Sequence, residues 1–484
     1  MLSILGILLS LVALMYLAYR GFTVLLLAPL AAALAALASD APVLASYTQV
    51  FMPALGRFIA LFFPLFLLGA VFGKLMEASG AARALATALV ARLGAGHAVL
   101  AIVTACALLT YGGVSLFVVA FAVYPIAAEL FRAADVPKRL IPGTIALGAF
   151  TFTMSAMPGT PAIQNAIPMP YFATTPFAAP GLGLVAAALM LGLGLLWLAH
   201  RVRQARSAGE GYGETQPDGT AVAPDRSDRA RAHGEGYDVG ELGPAAVDLP
   251  LPGAAVALAP IVLVVLLNYV LAEIVLPRLD TAYLAQQLYG ATRLETVRGV
   301  WAIIGALLVS ILLLIALARR QLPALKETLD SGAIASVAPV FNTASQVGYG
   351  AVIASLAGFA LIRDAVLGVA PGNPLVSLAI SVNVLAGITG SASGGMSIAL
   401  QTLGATYLEL ARVADIAPEL LHRVTAIAAG GLDALPHNGA VITLLAICGL
   451  THRQSYLDIL VVAVLVPIAT LVAVVALATM FGSF

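Results

Sequence analysis

The chain has 484 residues, of which 61% are hydrophobic and 10% are charged, whereas roughly 25% of the residues in an average soluble domain are charged. The 24 Lys and Arg balance the 24 Asp and Glu, so the chain has no excess positive charge with which to bind nucleic acid. This composition excludes a soluble enzyme and a nucleic-acid-binding protein, and it predicts a protein embedded in a lipid bilayer.

The two cysteines, Cys106 and Cys448, lie in apolar runs, where they are expected to pack as small core side chains. Their spacing matches neither a disulfide framework nor a zinc site. The sequence therefore predicts no metal and no cofactor.

Charge is distributed unevenly along the chain. Residues 201–249 hold six arginines and nine acidic residues, a net charge of −3, so the other 435 residues carry +3. This segment is also rich in Gly, Pro and Asp and has no helical or strand periodicity over most of its length, which is typical of a flexible linker. A tether is the simpler interpretation, and a regulatory segment is the alternative.

The first apolar segment, residues 2–19, has no basic residue before it and is followed by Arg20. A secretory signal carries its positive charge before its apolar core, so we expect this segment to remain as a transmembrane helix with its N-terminus in the periplasm. The positive-inside rule then predicts a second span over 22–38 and a third over 58–76, which returns the chain to a basic cytoplasmic side.

Residues 97–131 form a longer apolar stretch that is interrupted near Gly112 and followed by three cations. One long crossing would leave those cations outside, so we predict a re-entrant hairpin with its tip at 110–115. The next span, 140–167, is broken at 155–161 by two prolines and a glycine. A further span over 181–198 then places the linker in the cytoplasm.

The second half repeats this scheme with the opposite orientation, so that the C-terminus is periplasmic as well. We predict spans over 254–275, 300–317 and 334–361, then a second hairpin over 374–408 with its tip at 389–395. A second broken span follows over 421–447, with its break at 433–439.

Three short segments recur between the halves at a nearly constant separation. Residues 69–72 resemble 350–353 at a separation of 281, 109–112 resemble 388–391 at 279, and 156–163 resemble 434–441 at 278. We therefore predict an all-α polytopic membrane protein built from two inverted repeats, each with about five transmembrane helices plus a re-entrant hairpin, and with two broken helices.

Inverted repeats with paired broken helices are typical of secondary transporters, which bind their substrate at the breaks. In lipid every peptide group must be paired, so a break persists only where it lines a cavity or binds a ligand. Half-helix N-termini present N–H groups that suit an anion, so we predict a small carboxylate substrate. The residues expected to bind it are Thr110, Gly112, Gly113, Ser115, Gly159, Thr160, Ser391, Ser393, Gly394, His437 and Asn438. For the hairpin tips, close packing of small residues is the alternative.

Asp433 and His437 are ionisable residues within the second broken span, a location that by default marks a substrate or ion path. Asp433 is the first candidate for proton coupling and His437 the second, because a desolvated carboxyl can take up a proton near neutral pH. The alternative is a structural Asp–His pair that stabilises the break.

Other polar residues near these elements can either bind the substrate or form interhelical hydrogen bonds. They are Gln164, Asn165, Asn342, Thr343, Ser345, Gln346 and Asn383. Four histidines fall at predicted span ends, where an interfacial position is expected: His97, His200, His422 and His452. We expect no cationic side chain at either break, which leaves helix ends, hydroxyls and His437 to bind a monoanion.

At residues 72–80, 111–115 and 434–443 the sequence resembles the gluconate:proton symporter (GntP) family. The resemblance extends over nearly the whole chain except the linker. The Pro436-His437-Asn438-Gly439 stretch is more similar to the branch assigned to short hydroxy acids such as 3-hydroxybutyrate than to the gluconate carriers.

This resemblance implies symport of a small organic acid with protons across the inner membrane, by an elevator-type movement within a homodimer. The expected transport domain comprises 58–168 and 334–447. The expected scaffold comprises 1–57, 169–200, 250–333 and 448–484.

Three alternatives stay open to different degrees. The transporter could be coupled to Na⁺ instead of protons, with the ion bound by carbonyls and hydroxyls near Thr110, Ser391 and Ser393. The same hairpins could also line an anion channel. A hydrolase is disfavoured, because Gly390-Ser391-Ala392-Ser393-Gly394 does not place a serine at the centre of a Gly-x-Ser-x-Gly elbow.

Overall fold

The computed structural model describes residues 2–20, 22–213, 250–370 and 372–483, and every regular element in these ranges is helical. This confirms the predicted all-α fold. Most of the predicted linker lies outside the described residues, and its predicted start is wrong. Residues 201–207 still belong to a helix, because this Arg-, Gln- and Ala-rich stretch consists mostly of good helix formers.

The first half contains three initial helices, a short connecting helix, a helical hairpin, a broken helix and a long final helix. Their bounds are Leu2–Tyr19 (α1), Val24–Ala38 (α2), Val43–Ala78 (α3), Ala81–Leu93 (α4), Ala98–Tyr111 (α5), Leu116–Ala133 (α6), Ile141–Ala149 (α7), Phe152–Ser155 (α8), Ile163–Ala166 (α9), Pro168–Phe172 (α10) and Pro180–Ser207 (α11).

The second half follows the same order of elements. Its helices are Ala254–Arg278 (α12), Leu294–Leu317 (α13), Leu325–Ala335 (α14), Val337–Ser355 (α15), Phe359–Leu367 (α16), Pro374–Thr389 (α17), Ala392–Val413 (α18), Pro418–Ala429 (α19), Gly439–Cys448 (α20) and His452–Phe481 (α21).

Both predicted hairpins and both predicted breaks are present. The first hairpin is α5 and α6, and the second is α17 and α18. The first break, residues 156–162, separates α8 from α9, and the second break, residues 430–438, separates α19 from α20. The second break therefore starts three residues earlier than the sequence predicted.

Helices α4 and α16 were not predicted. Helix α4 is bent by 104° from the helix that follows it, and α16 is bent by 96° from the α14–α15 segment. The predicted span over 334–361 is therefore too long, since α15 ends at Ser355. The chain turns at Gly358, whose N–H donates to the Ser3 hydroxyl at 3.0 Å, and a Cβ at Gly358 would collide with α1.

Six helices in the described part of the chain are long and apolar enough to cross a membrane, or up to eight if each bent pair forms one span. Large apolar side chains face outward, as on α1, where Leu2 is 73% exposed and Leu9 is 55% exposed. Such a surface is stable against lipid, and the helices satisfy their own backbone groups there. The chain is a multi-pass membrane protein.

The two broken helices lie in the middle of the packing. Helix α7 packs against α5, α11 and α21, and α19 packs against α17, α18 and α21. Helix α20 also packs against α6, so the second broken helix contacts the first hairpin. Elsewhere, α15 packs against α2, α3 and α18.

A buried carboxylate connects the start of α7 to α11 and α21. Asp458 on α21 accepts hydrogen bonds from Arg201 Nε at 2.8 Å and from Trp197 Nε1 at 3.0 Å, and it forms an ion pair with Arg139 at 3.5 Å. Its side chain is 1% exposed. Asp458 thus fixes the relative positions of three helices at one end of the molecule.

The residues that follow α11 return to the same end. Glu210 accepts two hydrogen bonds from Arg139, at 2.6 and 2.7 Å, and these bonds lower the pKa of the Glu210 carboxyl below its ordinary value. The Tyr212 ring lies 4.9 Å from the Arg132 guanidinium, and Tyr212 N–H donates to Asp135 at 3.0 Å. The first residues of the linker therefore lie against the base of the first hairpin.

We predict that Asp458→Asn destabilises the protein, because Arg201 loses its carboxylate and Arg139 keeps only that of Glu210. The expected loss is about 3 kcal/mol, near the lower end of the range for a broken buried ion pair because Arg139 and Arg201 are partly exposed. Thermal unfolding of the detergent-solubilised protein measures it. Asp415→Asn is the matched control, since Asp415 is exposed and Asn tolerates its positive φ of 53°. Equal unfolding temperatures for the two variants would contradict the prediction.

Candidate functional site

The first break is stabilised by side chains from three other parts of the fold. The Tyr111 hydroxyl donates to the Pro158 carbonyl at 2.8 Å, and Asn268 Nδ2 donates to the Gly159 carbonyl at 3.0 Å. Asn165 Nδ2 donates to the Thr160 carbonyl at 3.0 Å. These donors satisfy three carbonyls that have no helical partner at the break.

The carbonyls of the last residue before the break and of the first residue within it accept from a cation. Arg423 on α19 is fully buried, and its Nη1 donates to the carbonyls of Ser155 at 3.4 Å and Ala156 at 3.1 Å. The expectation that no cationic side chain lies at either break is therefore wrong. Residue 423 lies in the other half of the chain, far in sequence from the break that it contacts. An arginine among the apolar residues at the start of a predicted span was the available signal.

His422, the neighbour of Arg423, is also fully buried. Its Nδ1 lies 2.6 Å from the Thr174 hydroxyl, and its Nε2 lies 3.1 Å from Asn165 Oδ1. The predicted interfacial position of His422 is wrong, because the turn before α11 folds over α19 and encloses the ring. His422 and Arg423 together fix the side chain of Asn165.

One buried N–H group of the first break is left without a hydrogen-bond partner among the described residues. Thr160 is fully buried, and its N–H donates no hydrogen bond within the described residues, although its carbonyl is paired with Asn165. Unpaired buried N–H groups are rare in folded proteins. Four carbonyls of the first break, those of residues 156 and 158–160, thus accept from side chains, and the Thr160 N–H is free for an acceptor.

The second break is attached to the second hairpin by two side chains. Asn438 Nδ2 donates to the Gly390 carbonyl at 2.6 Å, and His437 Nε2 lies 3.0 Å from the Gly387 carbonyl. Asn438 also caps α20, because its Oδ1 accepts from Ala440 N–H at 2.6 Å. These two predicted binding residues therefore act first as structural links between the break and the hairpin.

Helix α21 stabilises the second break from the other side. The Tyr456 hydroxyl donates to the Ala434 carbonyl at 3.1 Å, and His452 Nε2 lies 2.9 Å from the Pro436 carbonyl. His452 was expected at an interface, and its ring is directed at the break instead.

Asp433 lies within the second break, and its Oδ1 is buried with no hydrogen-bond partner among the described residues. Asp433 and His437 form no hydrogen bond with each other in this part of the chain, so the structural Asp–His pair considered from the sequence is not present. The carboxyl group is available to a proton or a ligand.

The tip of the second hairpin is built from small residues that cap the two helices. Gly390 has a φ of +64°, which ends α17 in the left-handed conformation that glycine adopts readily. The Ser391 hydroxyl accepts from Gly394 N–H at 3.2 Å and so caps α18. Ser393 lies 3.4 Å from the Thr343 hydroxyl of α15, and Gly394 packs against Gln346.

The tip of the first hairpin lies against both the first break and the second half. A Cβ at Gly113 would meet Pro161 at 2.8 Å, and one at Gly112 would meet Ile261 at 2.6 Å. The Thr110 hydroxyl oxygen is buried and unpaired in the described structure. Ser115 begins α6 without capping it through its side chain.

The two breaks approach each other. A Cβ at Gly430, the first residue of the second break, would lie 3.5 Å from the Ser155 hydroxyl next to the first break. Together with Arg423, which extends from α19 to the first break, this contact joins the breaks and hairpins into one site.

Of the remaining polar candidates, two form interhelical contacts. Asn342 Oδ1 accepts from the Thr23 hydroxyl at 3.3 Å and from Leu25 N–H at 3.1 Å, which joins α15 to α2. Asn383 packs against Gly431 of the second break. The buried Gln346 Oε1 has no partner among the described residues.

Two comparisons with known proteins agree with this architecture. Residues 1–170, which include the first hairpin and the first break, match the model of the GntP family permease. The chain is also 43% identical over 446 residues to the uncharacterized transporter YxjC of Bacillus subtilis (strain 168), and the alignment covers 91% of each chain.

We predict that Gly395→Ala separates the arms of the second hairpin, because its Cβ would overlap the backbone of Ala386. Overpacking of this kind costs about 1–3 kcal/mol, so the unfolding temperature in detergent should fall. Gly192→Ala is the control, since a Cβ at Gly192 in α11 meets nothing within 4 Å, and alanine is the better helix former. If Gly395→Ala is as stable as Gly192→Ala, the close approach of the arms is not as described.

Proposed function

The chain belongs to the GntP family of permeases, and from this premise we propose that it is a proton-coupled secondary transporter of a small organic monocarboxylate. Gluconate and 3-hydroxybutyrate are the first substrates to test. The observation that carries the proposal is the buried, unpaired carboxylate oxygen of Asp433 at the second break. A buried carboxyl oxygen without a hydrogen-bond partner is costly unless it has a function, and proton transfer is the function that needs no other group.

The first break supports an anionic substrate. Four of its carbonyls, those of residues 156 and 158–160, accept from side-chain donors, and the buried Thr160 N–H lacks a partner among the described residues, so this N–H is available to an acceptor. A substrate carboxylate between the two breaks would accept from this N–H while Asp433 carries the coupled proton.

We propose an elevator-type movement in which the hairpins and broken helices move as a transport domain in the inner membrane, within a homodimer. The sequence-based division assigns 169–200 and 448–484 to the scaffold. Helices α11 and α21 pack against the broken helices, and Asp458 connects both to Arg139. We therefore propose that they travel with the transport domain. The proposed topology has periplasmic termini and a cytoplasmic linker.

A sodium-coupled carboxylate symporter is the second candidate. The unpaired oxygens of Thr110 and Gln346 lie at or beside the hairpin tips, and Na⁺ accepts such neutral oxygen ligands. An anion channel is a third candidate, and accumulation of the substrate against its gradient would exclude it.

The test of the proposed function is uptake into proteoliposomes. Labelled gluconate, 3-hydroxybutyrate and other monocarboxylates are offered with an inward proton gradient or an inward sodium gradient, imposed separately. Proton-driven accumulation that an uncoupler abolishes supports the proposal. Accumulation driven by sodium alone favours the second candidate, and equilibration without accumulation favours a channel.

We predict that Asp433→Asn abolishes proton-driven accumulation while preserving exchange of labelled for unlabelled substrate, because the amide cannot carry the coupled proton. Both activities are measured in the same vesicles. Asp415→Asn, on the exposed residue used above, should retain both. Undiminished accumulation by Asp433→Asn would rule out the coupling role.

A second functional prediction distinguishes the helix-capping role of Asn438 from its hydrogen bond to the second hairpin. Asn438→Ala and Asn373→Ala each remove an Asn that caps a helix, at a cost of about 1 kcal/mol in either case. Only Asn438 also bonds the second hairpin through the Gly390 carbonyl. We expect Asn438→Ala to reduce the maximal uptake rate about tenfold, since a buried carbonyl loses its partner. Equal uptake rates for the two variants would show that this link has no functional role.

A further inference from the structure

Arg423 is a buried cation without a carboxylate partner among the described residues. Its acceptors are all neutral oxygens: the carbonyls of Ser155, Ala156, Pro176 and Ala178, and the side-chain Oδ1 of Asn165. The closest of these is Ala178 O, 2.7 Å from Nη2. The ion pairs found among the described residues do not include Arg423.

Neutral oxygens satisfy the hydrogen bonds of a guanidinium but leave its charge in place. A charged group inside a membrane protein is costly and is usually paired with an opposite charge. Arginine stays protonated under ordinary conditions. The first break therefore has a permanent positive charge next to it, and the described structure contains no anion that neutralises it.

Asn165 connects this charge to the break. Its Oδ1 accepts from Arg423 Nη1 at 3.2 Å and lies 3.1 Å from His422 Nε2. These two donors define the orientation of the amide, whose Nδ2 then donates to the Thr160 carbonyl at 3.0 Å. Arg423 therefore positions Thr160, the residue with the unpaired N–H, through the side chain of Asn165.

We propose that Arg423 is a positioning residue that also determines the charge specificity of the site. It holds the carbonyl oxygens of Ser155 and Ala156 away from the substrate, and its charge is neutralised when the carboxylate of the substrate binds at Thr160. This inference rests on the proposed transport function. It predicts that the protein distinguishes an acid from its uncharged amide mainly through Arg423.

The first experiment compares 3-hydroxybutyrate with 3-hydroxybutyramide as inhibitors of labelled 3-hydroxybutyrate uptake, with gluconate and gluconamide as a second pair. The variants are Arg423→Lys, which keeps the charge, and Arg423→Met, which removes it at similar length. We expect the preference for the acid over the amide to fall on the order of tenfold in Arg423→Met. It should be largely kept in Arg423→Lys, even where the uptake rate of both is reduced.

A purely structural role for Arg423 would lower the amount of folded protein or the maximal rate in both variants without changing the ratio of the two inhibition constants. An unchanged ratio in Arg423→Met therefore overturns the inference. If the wild-type protein takes up none of the monocarboxylates, the proposed function fails instead. The two failures are distinguishable because only the second involves the unmodified protein.

A second pair of variants is informative if Arg423→Met does not fold. Asn165→Asp places a carboxylate next to the guanidinium and neutralises it, whereas Asn165→Ala removes the same donors from the Thr160 carbonyl without adding charge. We expect Asn165→Asp to weaken inhibition by the acid about tenfold more than Asn165→Ala does, with equal effects on the amide. Equal losses for the acid in the two variants would contradict the role of the charge.

Discussion

The structure depends on one constraint, which is that a peptide group inside a lipid bilayer needs a hydrogen-bond partner. Two helices in the described part of this membrane protein are broken in the interior of the fold. The carbonyls exposed by the first break accept from Tyr111, Asn165, Asn268 and Arg423. Each of these side chains comes from a different helix, so the packing of the surrounding helices is a condition for the break to exist.

The two halves repeat their helices but not the side chains that stabilise the breaks. At the separation of 278 residues that relates the breaks, the counterpart of Arg423 is Ile145. The second break is stabilised by Tyr456 and His452 of α21 and contains an unpaired carboxylate oxygen, whereas the first is contacted by the Arg423 cation and contains an unpaired N–H. In the proposed mechanism this difference separates the two tasks, with the anion bound at the first break and the proton at Asp433.

Periodicity, punctuation by Gly and Pro, and the internal repeat were sufficient to predict the hairpins and breaks. These features are local, since Gly390 ends a helix and the prolines of the first break interrupt one wherever they occur. The sequence did not reveal which distant side chains meet at a break. His422 lies near the start of an apolar span, where a position at the membrane interface was the simplest interpretation, and Arg423 follows it. Only the fold of the 174–178 turn over α19 explains their burial.

The connecting helices show the same limit. Helix α16 is formed because the chain turns where Gly358 meets α1, a contact between positions about 355 residues apart. At α11 the cause is local: the helix continues into the Arg-rich segment because that stretch consists mostly of good helix formers, and its Arg201 pairs with Asp458 of the last helix. At α16 a hydrophobicity pattern predicts the span, and a long-range contact decides where it ends.

The central claim is that the free N–H of the first break binds the carboxylate of the substrate. The most direct test is an experimental structure of the protein with 3-hydroxybutyrate or gluconate bound in a lipid nanodisc. We expect a ligand carboxylate oxygen within hydrogen-bonding distance of the Thr160 N–H, between the two breaks. A ligand bound away from both breaks, with the Thr160 N–H paired to protein, would contradict it.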